Sequence, residues 1–489
     1  MSERLRPRDV ALLAEESAST PMHNATVEIF EPGQSGFDYP GLVRLVQERL
    51  SFVPRYRQRV QTVPGRLANP VWVDDEHFDL GYHVRRSALP RPGSLDQLRE
   101  LVARIVSRPL DRNRPLWEMY FVEGLADGRV ALLSKSHQVL VDGMHTVDLG
   151  QVLLDTSPEP KELGADEWRA RSRPSPFALM AGAVRDSVTD PHVVPATARS
   201  TTGAVLRGVA DAARSAGRVV DALANRTPTS GSPIIGPLSQ QRRVVAVRTD
   251  LADHRKVRDA HGGTVNDVVL ATVTGALRAW LLTRSDTMRG IREVRAVVPI
   301  SVIDDEMEAT SLGSQIAAHF VDLPVGEASP VVRLHQVSYS FQADKESGRA
   351  VAASRLTSIS GFAPATFHAI GSRVAARERR GYELNVTNVP GPQAPLYAAG
   401  ARMTETYPVP PLLEGHPLAI GVTSYDGHVF YGLTADRDLL PDADLLGPCI
   451  QEALDELVDS ATGGRARAPR GRRRRKATRS TEPATGKRS

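Results

Sequence analysis

Apolar residues recur three and four positions apart over residues 42–50 and again over 96–106, the period of a helix that buries one face. Residues 129–139 alternate instead and are rich in Val and Leu, which predicts a strand. Asp142-Gly143 breaks that strand, and a helical period returns over 144–154. The order is strand, sharp turn, helix. In the second half, Val265, Val268, Val269, Thr272, Val273, Ala276, Leu277, Trp280 and Leu281 share one face of a helix predicted over 265–281. Strands are predicted at 294–302, where Pro299 marks the end, and at 384–388 and 418–425. Asp426-Gly427 then makes a hairpin turn into 429–433, and a helix over 442–458 closes the pattern.

Between the halves the pattern fades. Residues 185–240 are rich in Ala, Arg, Thr, Ser and Pro, with weak periodicity at 205–223 and a polar run at 227–232. They read as a crossover linker that contains a helix. No short-period repeat is present. The expected fold is α/β. It has an N-terminal lobe at 1–184, the linker at 185–240, a similar C-terminal lobe at 241–462, and a tail at 463–489.

Composition agrees with a globular chain: 489 residues, 41% hydrophobic and 24% charged. The single cysteine, Cys449, follows Gly447-Pro448 in an apolar stretch and reads as a buried structural thiol. The N-terminus MSERLRPRDV has no apolar signal region, and no run approaches the roughly 18 apolar residues of a membrane span, so a cytoplasmic location is expected. The formal charge of +4 conceals an asymmetry. Residues 465–489 hold eleven of the 61 Lys and Arg and one of the 57 Asp and Glu, a net +10 that leaves −6 elsewhere. The basic character therefore belongs to a disordered tail, whose run Arg472 to Lys476 suits an anionic membrane or lipid-droplet surface. No helix-turn-helix, zinc finger or aromatic RNA-binding pattern accompanies it, so specific nucleic-acid binding is not expected. HExxH, G-x-S-x-G and P-loop patterns are absent, which argues against a metal centre, a serine hydrolase and an NTPase.

The segment with chemical promise is Lys135-Ser136-His137-Gln138-Val139-Leu140-Val141-Asp142-Gly143, at the strand's end. It resembles the HHxxxDG motif of the wax ester synthase/diacylglycerol acyltransferase family. Other blocks match in order and spacing. Pro21-Met22-His23 is similar to the family N-terminus, residues 78–84 (FDLGYHV) to its FDLxYHV segment, and residues 109–117 (PLDRNRPLW) to PLDxxxPLW. Residues 266–271 (NDVVLA), 298–302 (VPISV), 388–392 (NVPGP) and 424–427 (SYDG) also correspond.

The resemblance implies two lobes of chloramphenicol acetyltransferase type, with mixed sheets and flanking helices related by a pseudo-twofold. It implies acyl transfer from acyl-CoA, a co-substrate, to diacylglycerol or a long-chain alcohol, with no resident cofactor. It places Gln138, His137, Asp142 and Gly143 at the catalytic position. Asn266, Asp267, Pro109, Leu110, Asp111 and Trp117 become candidate substrate contacts. Beside these stand simpler readings: a helix cap for Asn266 and Asp267, and a packing loop for the segment from Pro109 to Trp117.

One departure matters. In the motif the general base is the His four residues before the Asp, and here that position is Gln138. An amide orients a hydroxyl but does not take its proton. Strand alternation sends His137 to the opposite face. Leu312-Gly313-Ser314-Gln315 also replaces the family's LGNQ. Three readings stay open: a slow enzyme, a base role taken by His137 or His145, or a protein that binds acyl-CoA or lipid without turnover.

Overall fold

The computed structural model describes residues 3–33, 36–66, 68–140, 149–159, 168–172, 174–189, 232, 234–284, 291–301, 316–346, 364–377 and 381–463. Two six-stranded sheets organise them. The first holds β1 (His23–Glu31), β4 (Val84–Ala88), β5 (Trp117–Glu123), β6 (Val130–His137), β11 (Tyr397–Ala398) and β12 (Ala401–Val409), in the order β11-β12-β1-β6-β5-β4. The second holds β7 (Arg242–Asp250), β8 (Val294–Ser301), β9 (Ile316–Leu323), β10 (Leu384–Pro390), β13 (Leu418–Tyr425) and β14 (His428–Asp436), in the order β7-β14-β13-β10-β8-β9. A short ribbon pairs β2 (Gln58–Gln61) with β3 (Val71–Asp74). Both main sheets are mixed: β4 runs parallel to β5, and β10 runs parallel to β8 and β13.

Helices cover the sheets. The first half carries α1 (Pro7–Glu15), α2 (Tyr39–Arg49), α3 (Leu80–His83), α4 (Leu95–Val106), α5 (Leu149–Leu153) and α6 (Pro176–Thr189). The second carries α7 (Leu251–His261), α8 (Val265–Thr283), α9 (Pro330–Glu346), α10 (Pro364–Arg377) and α11 (Leu446–Ala461). Each half has its own core, with Phe30, Leu42, Trp117 and Phe121 in the first and Val269, Leu277, Trp280 and Tyr431 in the second.

Local chemistry explains the best-read elements. Ser94 and Gln97 form a capping box at the start of α4, and Thr264 and Asp267 form one at the start of α8. The hairpin at Asp426-Gly427 places both residues at positive φ, 42° and 79°, as a type I′ turn requires. Pro299 lies inside β8 and does not end it. The reason is that β10 pairs with β8 only at Ala296 and Val297 and departs before the residue that lacks an N–H.

The halves are not separate in the sheet. Residues 397–409, expected in the C-terminal lobe, are hydrogen-bonded into the first sheet, with β12 beside β1. Where β12 crosses, Pro408 presses on the second sheet. A Cβ at Gly432 would lie 1.7 Å from the Pro408 carbonyl oxygen, so only glycine fits there. Helix α8 is long and apolar enough to cross a membrane, contrary to the sequence expectation. Yet 72% of its apolar window is buried within the second lobe, where it is a core helix. Most of the expected linker and all of the tail after Gly463 lie outside the described residues.

Candidate active site

Strand β6 lies between β1 and β5, with His23 opposite His137 and Asn24 opposite Ser136. Beyond it the backbone stays pinned. The N–H of His137 bonds Leu116 O and that of Gln138 bonds Met22 O, both at 2.9 Å. Strand alternation continued through this pair would send the two side chains to opposite faces.

The His137 ring is fully buried. Its Nδ1 accepts the backbone N–H of Val139 at 3.1 Å. With Nδ1 accepting, the ring N–H is on Nε2, which faces Glu16 Oε1 at 3.6 Å, longer than a hydrogen bond. Glu16 also accepts the Met22 N–H at 3.1 Å and two bonds from the Arg112 guanidinium at 3.0 and 2.7 Å. Burial raises the Glu16 pKa, but the neighbouring His137 and Arg112 outweigh it and hold the carboxyl down at about 2. Glu16 is thus an anion at any working pH. No lone pair of His137 is free to take a proton from a substrate.

Gln138 is also fully buried, and neither its Oε1 nor its Nε2 has a hydrogen-bond partner among the described residues. A buried amide without partners costs about 1–3 kcal/mol, so the lack of a partner among the described residues marks this amide as a candidate contact.

The other candidates separate into kinds. Asp142, Gly143, His145 and residues 312–315 lie outside the described residues. Asn266 Oδ1 accepts from Asn388 Nδ2 at 2.9 Å, which joins two of the matching blocks across the second lobe. The Asp267 carboxylate caps α8 by accepting from Thr264 N (2.8 Å) and also takes the Ser338 hydroxyl at 3.0 Å. Trp117 is core, donating Nε1–H to Tyr56 O at 2.7 Å and stacking on His83 at 4.6 Å. Leu110 is buried in the first core, whereas Pro109 and Asp111 are exposed, and Asp111 Oδ1 ties the turn through Asn113 N.

Sequence reasoning missed Glu16 and Arg112. Arg112 stands inside the PLDRNRPLW block, but nothing in the run around Glu16 marks a contact 121 positions away. It also missed the seam under α10. There His368 Nδ1 lies 2.6 Å from Thr387 Oγ1 while Nε2 has no partner among the described residues. Burial pushes this ring down to about 3, so it is neutral. A small, open cleft lies at one end of the seam, lined by Glu15, Met22, Ala376, Tyr382, Leu413 and Glu414 among others.

Residues 5–269 match the wax ester synthase/diacylglycerol acyltransferase catalytic domain, and residues 312–458 match the WS/DGAT C-terminal domain. The chain belongs to the wax ester synthase/diacylglycerol acyltransferase family. Among members of this family, a probable diacylglycerol O-acyltransferase of Mycobacterium tuberculosis is 33% identical over 435 residues, 89% of this chain and 90% of that protein. A putative one from the same organism is 31% identical over 470 residues, 94% and 90% of the two chains. The solved wax ester synthase/diacylglycerol acyltransferase of Marinobacter aquaeolei VT8 superposes with a TM-score of 0.65 at 26% identity, covering 94% of this chain and all of that one. The first condensation domain of the CDA synthetase, 13% identical with a TM-score of 0.52 over 94% and 96% of the chains, shares the two-lobed fold.

Proposed function

We propose that the protein transfers an acyl group from acyl-CoA to the hydroxyl of diacylglycerol or a long-chain alcohol, with Gln138 as an orienting group where the family carries its base. The observation that supports this most is the Gln138 amide, buried and without a partner among the described residues at the end of β6. The hydroxyl oxygen attacks the thioester carbonyl, the C–O bond forms, and the C–S bond breaks. The departing CoA thiolate ends with the proton that the hydroxyl loses. Gln138 accepts the hydroxyl hydrogen bond through Oε1 and aims the oxygen. Holding both reactants in line contributes up to about 7–11 kcal/mol without a base.

Asp142 and Gly143, on this reading, shape the turn after Gln138, and Asn266 with its partner Asn388 offers a polar contact from the second lobe. The contacts of Asp267 and Trp117 fit support of the site from behind. The two carboxylates at the cleft beside Met22 favour an uncharged acceptor over the polyanionic CoA. The reaction takes place in the cytoplasm on this account. The net +10 of residues 465–489 would hold the enzyme at anionic membrane or droplet surfaces.

The test is free-thiol release from a long-chain acyl-CoA with and without dioctanoylglycerol or hexadecanol. Acceptor-dependent release is expected. Release that ignores the acceptor, or none at all with tight acyl-CoA binding, would replace the enzyme by a binding protein.

A further inference from the structure

The seam between the lobes has two fixed ends. At the first, Pro408 of β12 pairs with Thr26 of β1. Its ring meets Gly421 of β13, where a Cβ would also touch Cε1 of His368, the residue bonded to Thr387 of β10. At the second, Met22, Ala375, Ala376 and Tyr382 share one apolar cluster, and the Tyr382 hydroxyl donates to Ala375 O at 3.0 Å. α10 therefore packs on both β1 and β10 between one end and the other.

Three side chains stand between those ends. Two residues from Thr26 along β1 is Asn24, two from Thr387 along β10 is Asn385, and one turn from His368 along α10 is Ser372. Alternate strand positions share a face, as do helix positions four apart, so all three enter the seam. They are 6%, 1% and 0% exposed. Both amide atoms of Asn24 and of Asn385, and Ser372 Oγ, have no hydrogen-bond partner among the described residues. Gln138 is bonded to Met22, only about 7 Å of strand from Asn24.

The chemistry of these groups selects their ligand. Two carboxamides with donor and acceptor both unmet need a partner that offers both. An alkyl chain offers neither, and an ester only accepts. An amide offers both. The pantetheine arm of acyl-CoA carries two amides, the first only two methylene groups from the thioester sulfur. We propose that Asn24, Asn385 and Ser372 form an amide-reading layer that holds this arm and delivers the thioester to Gln138. The proposal rests on the acyl-CoA reading above, and it assigns these three residues to recognition of the thioester donor, not of the acceptor.

Inert thioethers test it without turnover. The probes are the S-octyl thioether of N-acetylcysteamine and a matched octyl pentyl thioether that lacks the amide. The natural protein should bind the amide-bearing probe at least about tenfold more tightly, as one or two hydrogen bonds provide. Asn24→Leu and Asn385→Leu should each erase most of that preference. The unliganded melting temperature should stay level or rise, because each change removes buried unmet groups. Ser372→Ala, the mildest change, should lose about threefold and covers the case in which a Leu variant misfolds. A preference that survives in these variants overturns the proposal, as does the absence of any preference in the natural protein. A selective loss of dioctanoylglycerol binding would reassign the layer to the acceptor. Because the thioethers do not react, a failure of acyl transfer itself would leave this result standing and strike only the enzymatic reading.

Discussion

His137 accepts the backbone N–H of Val139 through Nδ1 at 3.1 Å, which spends the one lone pair that a neutral imidazole has. The histidine next to the vacant base position is thereby tied into the turn. Its Nε2 side looks toward an anionic Glu16. The strand end holds one locked imidazole and one open amide.

It follows that His137→Gln should leave acyl transfer within about tenfold of the natural rate, while stability falls. On the proposed reading no proton passes through this ring, because its Nδ1 lone pair is taken by the Val139 N–H. A loss of about 10²–10⁴-fold at unchanged folding, the usual contribution of a general base, would reinstate His137 in that role.

Glu16 makes acid stability a direct readout of the clamp. Its folded pKa, about 2, lies below the ordinary value of 4.5. The unfolded chain therefore binds the proton first, and the contribution to stability is whole above pH 4.5 and disappears as pH falls toward 2. Glu16→Gln should flatten that limb in a pH series of urea melts and cost on the order of 2 kcal/mol at pH 7. An unaltered acid limb would mean that Glu16 is not held as the geometry indicates.

The contacts of Trp117 predict a structural phenotype. Trp117→Ala removes a fully buried ring, its bond to Tyr56 O and its stack on His83, and should cost about 3–5 kcal/mol. Thermal melts should show the loss. A normal melt with impaired binding of substrate would move Trp117 to the substrate side.

Much of this was legible in the sequence where a single face decides. The strand expected at 129–139 and found as Val130–His137, the α8 stripe and the Asp426-Gly427 hairpin each follow from local rules; the turn expected at Asp142-Gly143 lies outside the described residues. β1 and β12 escaped because central strands are covered on both faces: eight of the nine residues of β1 are buried, so no alternation marks it. Opposite faces for 137 and 138 are an expectation readable from strand period alone. The partners were not. Glu16 meets His137, and Asn24 meets the α10 seam, only through pairings that no local pattern encodes.

The central claim is that residue 138 holds the base position and lacks only the base. The most direct measurement is kcat/KM for acyl transfer by the natural protein and by Gln138→His, followed from pH 5 to 9. A gain of about 10²–10⁴-fold is expected in the variant, with a new acid limb from the ionising imidazole. Equal rates, or an imidazole-like limb already present in the natural protein, would contradict it.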